Sequence, residues 1–179
     1  MPPQIAPAIA PASIVLRPAR IADILAIHQV RKAAADALTS QFGNGPWSSV
    51  SIISTAERAL SGRTLFKIVD GSTIIGTLTL TPLRIGFYKP DWFADAAAKA
   101  LYLHSMSIHP QRQHDDIGRQ ALEQVEAFAG QQGFTAIRLD SYDSDAGAGG
   151  FYESCGFVQV AREDAMKTKL KIYERIIYV

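Results

Sequence analysis

The chain has 179 residues, 47% of them hydrophobic, and 18 basic against 17 acidic side chains leave a net charge of +1. That length supports one domain with a sizeable core, and the even charge excludes a polybasic nucleic-acid binder or membrane-surface protein. A single cysteine, Cys155, excludes an intrachain disulfide and makes a reducing cytoplasm the expected compartment.

Residues 1–12 hold four prolines and no charged side chain, which predicts an extended tail ahead of a single domain over 13–179. The segment lacks the basic start and unbroken apolar run of a secretory signal, and no window has the apolar length of a membrane span. Ser13–Arg17 reads as a strand stopped by Pro18. A helix follows through Leu38, with Ile21, Ile24 and Leu25 at helical spacing and His28 continuing that face. Gly, Asn and Pro make Phe42–Trp47 a loop, and Val50–Leu60 a second helix. Two β-rich runs flank Asp70-Gly71, a hairpin signal. Thr81–Ala100 is an irregular insertion carrying Phe87, Tyr88, Trp92 and Phe93.

Leu101–Ile108 is the next strand. Ile117–Gln131 is an amphipathic helix, with Ile117, Ala121, Val125 and Phe128 on one face. Phe134–Ser141 is a strand, Ala146–Ser154 a short helix ended by Gly156, and Val158–Val160 and Leu170–Tyr178 the last strands. The order β-α-α-β-β-β-α-β-α-β-β predicts a mixed α/β domain with an antiparallel first half and a strand–helix–strand crossover near 101–141. No His, Cys, Asp or Glu spacing suggests a metal site.

Residues 103–157 carry two motifs in sequence. SMSIHP leads into Gln113-His114-Asp115-Asp116-Ile117-Gly118 and a helix, and DAGAGGFYESCGF follows the next strand. Together they resemble the GNAT superfamily of acyl-CoA-dependent N-acyltransferases, and the element order extends the resemblance over about 13–178. The resemblance implies a mostly antiparallel twisted sheet flanked by helices. It also implies acetyl-CoA as cosubstrate and a small-molecule or peptide amine as acceptor, attacking directly in a ternary complex. It leaves room for a homodimer.

By the same resemblance, main-chain atoms of Met106, Ser107 and Ile108 would hold the pantetheine arm. Residues Gln113, His114, Asp115, Asp116, Ile117, Gly118 and Arg119 would cradle the pyrophosphate, and Asp145 and Ala148 would line the cofactor's other side, Asp145 by capping the last helix. Helix N-terminal N–H groups and the helix dipole favour phosphate at such a turn. Tyr152 matches the family tyrosine that protonates the departing thiolate; a phenol with a pKa near 10 keeps its proton at neutral pH. The other reading of Tyr152 is packing in the Phe151/Phe157 cluster. His104 suits a general base, since imidazole titrates in the right range, or a histidine bonded inside the sheet. It is expected on one face with Tyr102 and Met106.

Asp116 departs from the pattern, which wants glycine there. A carboxylate roughly 6 Å from a phosphate charge costs about 0.7 kcal/mol in water and about 3 kcal/mol at an effective dielectric near 20. Asp is also a favoured N-cap. Two readings therefore stand: an acetyltransferase with an intact turn, or a non-catalytic binding domain whose own carboxylates fill the helix end.

Overall fold

Alternating apolar and polar residues build seven strands that join in one sheet, in the order β1-β2-β3-β4-β5-β7-β6. The computed structural model describes residues 14–60, 63–113 and 115–178. The predicted tail and Ser13 lie outside the described residues, as does His114. The strands are β1 (Ile14–Pro18), β2 (Thr64–Asp70), β3 (Thr73–Thr81), β4 (Ala100–Ile108), β5 (Ala136–Tyr142), β6 (Val158–Ala165) and β7 (Thr168–Ile176), and the helices are α1 (Ile24–Phe42), α2 (Ile52–Leu60), α3 (Ile117–Gln131) and α4 (Gly149–Ser154). The predicted element order holds throughout. All neighbouring strands are antiparallel except β4 and β5, which are parallel and joined through α3.

The predicted face of α1 is corrected. Ile21 and Leu25 are exposed at 78% and 59%, while Ile24, Ile27, Val30 and Ala34 are buried. Ile21 belongs to a preceding tight turn, where Asp23 accepts a hydrogen bond from the Arg20 amide and pairs with Lys67 at 2.8 Å. That pair fixes the entry angle, and the buried stripe runs from Ile24 by steps of three and four. Gly43, at φ +78°, ends the helix. β6 runs on to Ala165 rather than stopping at Val160, because it pairs along β7 through a two-residue turn at Met166-Lys167.

The sheet has two apolar faces. On one, α3 and α4 cover Phe66, Leu78, Leu101, Leu103, Ile137, Leu139 and Tyr173. On the other, α1 packs Ile24 and Ile27 on Leu65, and the 82–99 insertion packs Tyr88 and Phe93 on Tyr102, Ala136 and Ile172. The insertion is irregular but firmly anchored. Arg138 donates to Glu174 at 2.9 Å and to the Asp95 carbonyl at 2.7 Å, and stacks on the Phe93 ring at 3.8 Å. Glu174 in turn accepts from the Ala94 amide. Both partners are almost wholly buried, so a shared set of hydrogen bonds compensates two desolvated charges.

Candidate active site

β4 and β5 stay together for only three paired positions, Ala100↔Ala136, Leu101↔Ile137 and Tyr102↔Arg138. Beyond Tyr102 the strands part, while β4 remains bonded to β3 as far as Ile108. The parting leaves the β5-facing main chain of Met106, Ser107 and Ile108 without a strand partner. That is the expected geometry for holding an extended amide-bearing chain, which would add to β4 as a strand would.

A bulge sits at the start of this free stretch. Thr79 opposes His104 and Thr77 opposes Ser107, so two steps on β3 match three on β4. Ser105 takes φ +50°, a left-handed conformation that costs a non-glycine residue about 1 kcal/mol or more. The bulge corrects the expectation that Tyr102, His104 and Met106 share a face. Met106 packs into the α3-side cluster, whereas Tyr102 belongs to the opposite one. His104, half-buried and paired in register with Thr79, stays on the Tyr102 side.

The free stretch leads directly to the N-terminus of α3. Asp116 adopts the left-handed conformation at φ +58°, the one a glycine would take with less strain. Neither carboxylate fills the helix end. Asp115 pairs with Arg112 at 3.0 Å, and Asp116, which makes no side-chain capping bond, pairs with Arg119 at 3.2 Å. Arg112 also bridges to Asp70 at 2.9 Å. Among the described residues, no acceptor meets the amides of Ile117, Gly118 and Arg119. The reading in which the turn caps itself is therefore not what the fold adopts. Gln113 donates to the Ile108 carbonyl and folds the turn back on β4. Gly118 lies so close to α4 that a Cβ would come within 2.8 Å of the Phe151 ring.

Two further expectations are corrected at α4. The helix starts at Gly149, not Ala146, and Asp145 is an exposed turn residue that does not cap it. The reason is Gly147, where a Cβ would sit 1.9 Å from the Tyr142 carbonyl oxygen. The chain passes too tightly there to coil. The N-cap is Ala148, whose amide donates to the Ser141 hydroxyl at 2.8 Å.

Tyr152 projects from α4 into the sheet, 7% exposed, among Phe151, Phe157 and Tyr173. Burial raises its phenol above the ordinary tyrosine range, and the charge of Asp140 raises it further. The hydroxyl thus keeps its proton across the physiological range. Packing and acid roles coexist here: the ring fills the core and holds the phenol in place.

The sequence gives no sign that Asp140 and Tyr88 of the insertion meet. Asp140 lies on β5 two residues past the last β4 pair, on the face opposite Leu139. Its Oδ1 accepts a 2.7 Å hydrogen bond from Tyr88, which is 1% exposed. Burial raises the Asp140 carboxyl above its usual range, and the Tyr88 hydrogen bond partly opposes that rise. The available signal was an acid and an arginine inside a buried strand, Ala-Ile-Arg-Leu-Asp.

A model of the acetyltransferase (GNAT) family matches residues 28–157. Solved structures share the fold. An acetyltransferase of the GNAT family from Listeria monocytogenes is 20% identical, with a TM-score of 0.69 over 91% of this chain and 94% of that one. PaiA N-acetyltransferase from Thermoplasma acidophilum, solved in complex with coenzyme A, is 17% identical, with a TM-score of 0.64 over 92% and 99%. A Salmonella typhimurium acetyltransferase, solved with its cofactor acetyl-CoA, is 16% identical, with a TM-score of 0.62 over 92% and 94%. No curated protein matches the chain.

Proposed function

Because the chain belongs to the GNAT acetyltransferase family, we propose that it moves an acetyl group from acetyl-CoA to a primary amine by direct attack in a ternary complex. The observation that carries this reading is the parting of β4 from β5 after Tyr102, continued into an α3 N-terminus that no side chain caps among the described residues. Main-chain atoms of Met106, Ser107 and Ile108 would hold the pantetheine arm. The amides of Ile117, Gly118 and Arg119 would hold the pyrophosphate, with the helix dipole adding to the attraction. Acetyl-CoA supplies an activated acyl carbon and a thiolate leaving group. Tyr152 gives that thiolate its proton, which a buried, protonated phenol is suited to do. The acceptor would be a small-molecule or peptide amine, and a reducing cytoplasm suits the free Cys155.

Titration with acetyl-CoA tests the reading, and Asp116→Gly sharpens it. Glycine relieves the left-handed strain and removes a charge near the phosphates. The variant is expected to bind acetyl-CoA about tenfold more tightly, about 1.4 kcal/mol. No heat of binding for either protein at millimolar acetyl-CoA would refute the reading.

A further inference from the structure

The parting strands leave a gap in the sheet's pairing beyond Tyr102 and Arg138. Tyr152 lies on the α3 and α4 side of it, where its ring packs. From the other side two groups flank the opening at equivalent steps. His104 lies two residues past Tyr102 on β4, and Asp140 two residues past Arg138 on β5, where Tyr102↔Arg138 is the last pair. Burial, and after it the Asp140 charge, raise the Tyr152 phenol.

We propose that Asp140 is the catalytic residue that receives the acceptor's ammonium and takes its proton, with Tyr88 as the positioning residue that aims its carboxylate. This deepens the acetyltransferase reading and rests on it. An alkyl amine reaches a neutral site as an ammonium. A carboxylate attracts it, whereas an imidazole gives no charge attraction and an imidazolium repels it. Among the described residues, Asp140 is the one acid on this face next to the parting point whose carboxylate is held by the insertion rather than by a cation. Glu174, the buried acid there, is committed to Arg138. Asp143 is paired with Lys171 at the far end of β5.

The proton count closes with these groups. The Asp140 carboxylate takes one proton from R–NH3+. The neutral amine attacks the thioester carbonyl, and a C–N bond forms. As the C–S bond breaks, the sulfur takes the Tyr152 proton. The second nitrogen proton restores the phenol, and the first leaves Asp140 for solvent.

The groups around Asp140 are few. Tyr88 faces it from the insertion, Tyr102 packs on the Tyr88 ring from β4, His104 follows two residues later on the same strand, and the Asp140 charge acts on Tyr152 of α4. Arg138 shares its strand face and is bound to Glu174. On β7 its partner is Ile172. On α1, which packs over β3 and β4, Arg31 donates to Thr55. The Tyr88 hydroxyl bonds the carboxylate at 2.7 Å. Because that bond favours the ionised form, its loss raises the pH at which Asp140 can accept a proton.

The test uses the full chain with acetyl-CoA and 2-phenylethylamine, putrescine and glycinamide as acceptors, following thiol release from pH 5 to 10. For the best acceptor, Asp140→Asn is expected to lose about 10²- to 10⁴-fold in kcat/KM, with acetyl-CoA affinity unchanged. Tyr88→Phe, a smaller change that protects the test if the first variant fails to fold, is expected to move the acidic limb to higher pH. Asp140→Asn within threefold of the parent, an unmoved limb in Tyr88→Phe, or loss of the limb in His104→Gln but not in Asp140→Asn would each overturn the proposal and leave the acetyltransferase reading intact. A parent protein that transfers acetyl to none of the three amines would overturn both.

Discussion

Tyr152→Phe is expected to lower turnover about 10²-fold or more while leaving acetyl-CoA affinity within about twofold, since proton donation commonly contributes that much. The change deletes one oxygen from a ring that stays packed against Phe157 at a centroid distance of 5.7 Å. The core therefore keeps its shape, and a stability change cannot account for the loss. Without the phenol the sulfur must leave as a thiolate or find water. The sharper readout is the leaving group: an acetyl thioester of a more acidic thiol depends less on proton donation. Such a substrate should recover part of the lost rate. Equal turnover in the two proteins would remove Tyr152 from the reaction, and a parallel loss of cofactor affinity would reassign it to binding.

Glu174→Ala is expected to destabilise the fold by about 3–5 kcal/mol, the usual effect of stranding one member of a buried ion pair. Arg138 would keep its charge at 2% exposure with only the Asp95 carbonyl and Tyr102 hydroxyl to bond. The Ala94 amide would lose its acceptor as well. Urea unfolding with a fixed slope checks the size of the effect. Because Glu174 and Arg138 anchor the insertion that carries Tyr88, the same variant should show the pH shift expected of Tyr88→Phe. A midpoint unchanged from the parent would mean that water reaches Arg138 and that the anchor is weaker than its geometry.

Local rules made most of the architecture readable. α3 spans the predicted Ile117–Gln131 because its apolar period is strong and both ends are marked. The β2–β3 hairpin follows from Asp70-Gly71, and Gly71 indeed has φ +58°. Features that depend on distant partners were hidden. The bulge at Ser105 arises from the mismatch between β3 and β4, and no residue type announces it. It turns Met106 to the opposite face and leaves His104 on the side of Tyr102. Likewise Arg138, Glu174 and Ala94 lie up to 80 positions apart, and only the closed sheet brings them together. Asp115 and Asp116 were visible as anomalies, but their outcome depended on whether arginines three residues away would hold them. The nearby arginines do, so the doubled acid does not plug the helix end.

The short β4–β5 pairing has a mechanical meaning. It divides the sheet into two plates, β1 to β4 on one side and β5, β7 and β6 on the other, joined by a seam of three residue pairs. At the end of that seam Arg138 on β5 donates to the Tyr102 hydroxyl on β4 at 3.3 Å, like a rivet through both plates. A longer seam would shut the gap, and a shorter one would let the plates drift apart and separate the carboxyl from the phenol. The width of the opening is thus set by where the pairing stops, at Tyr102 and Arg138.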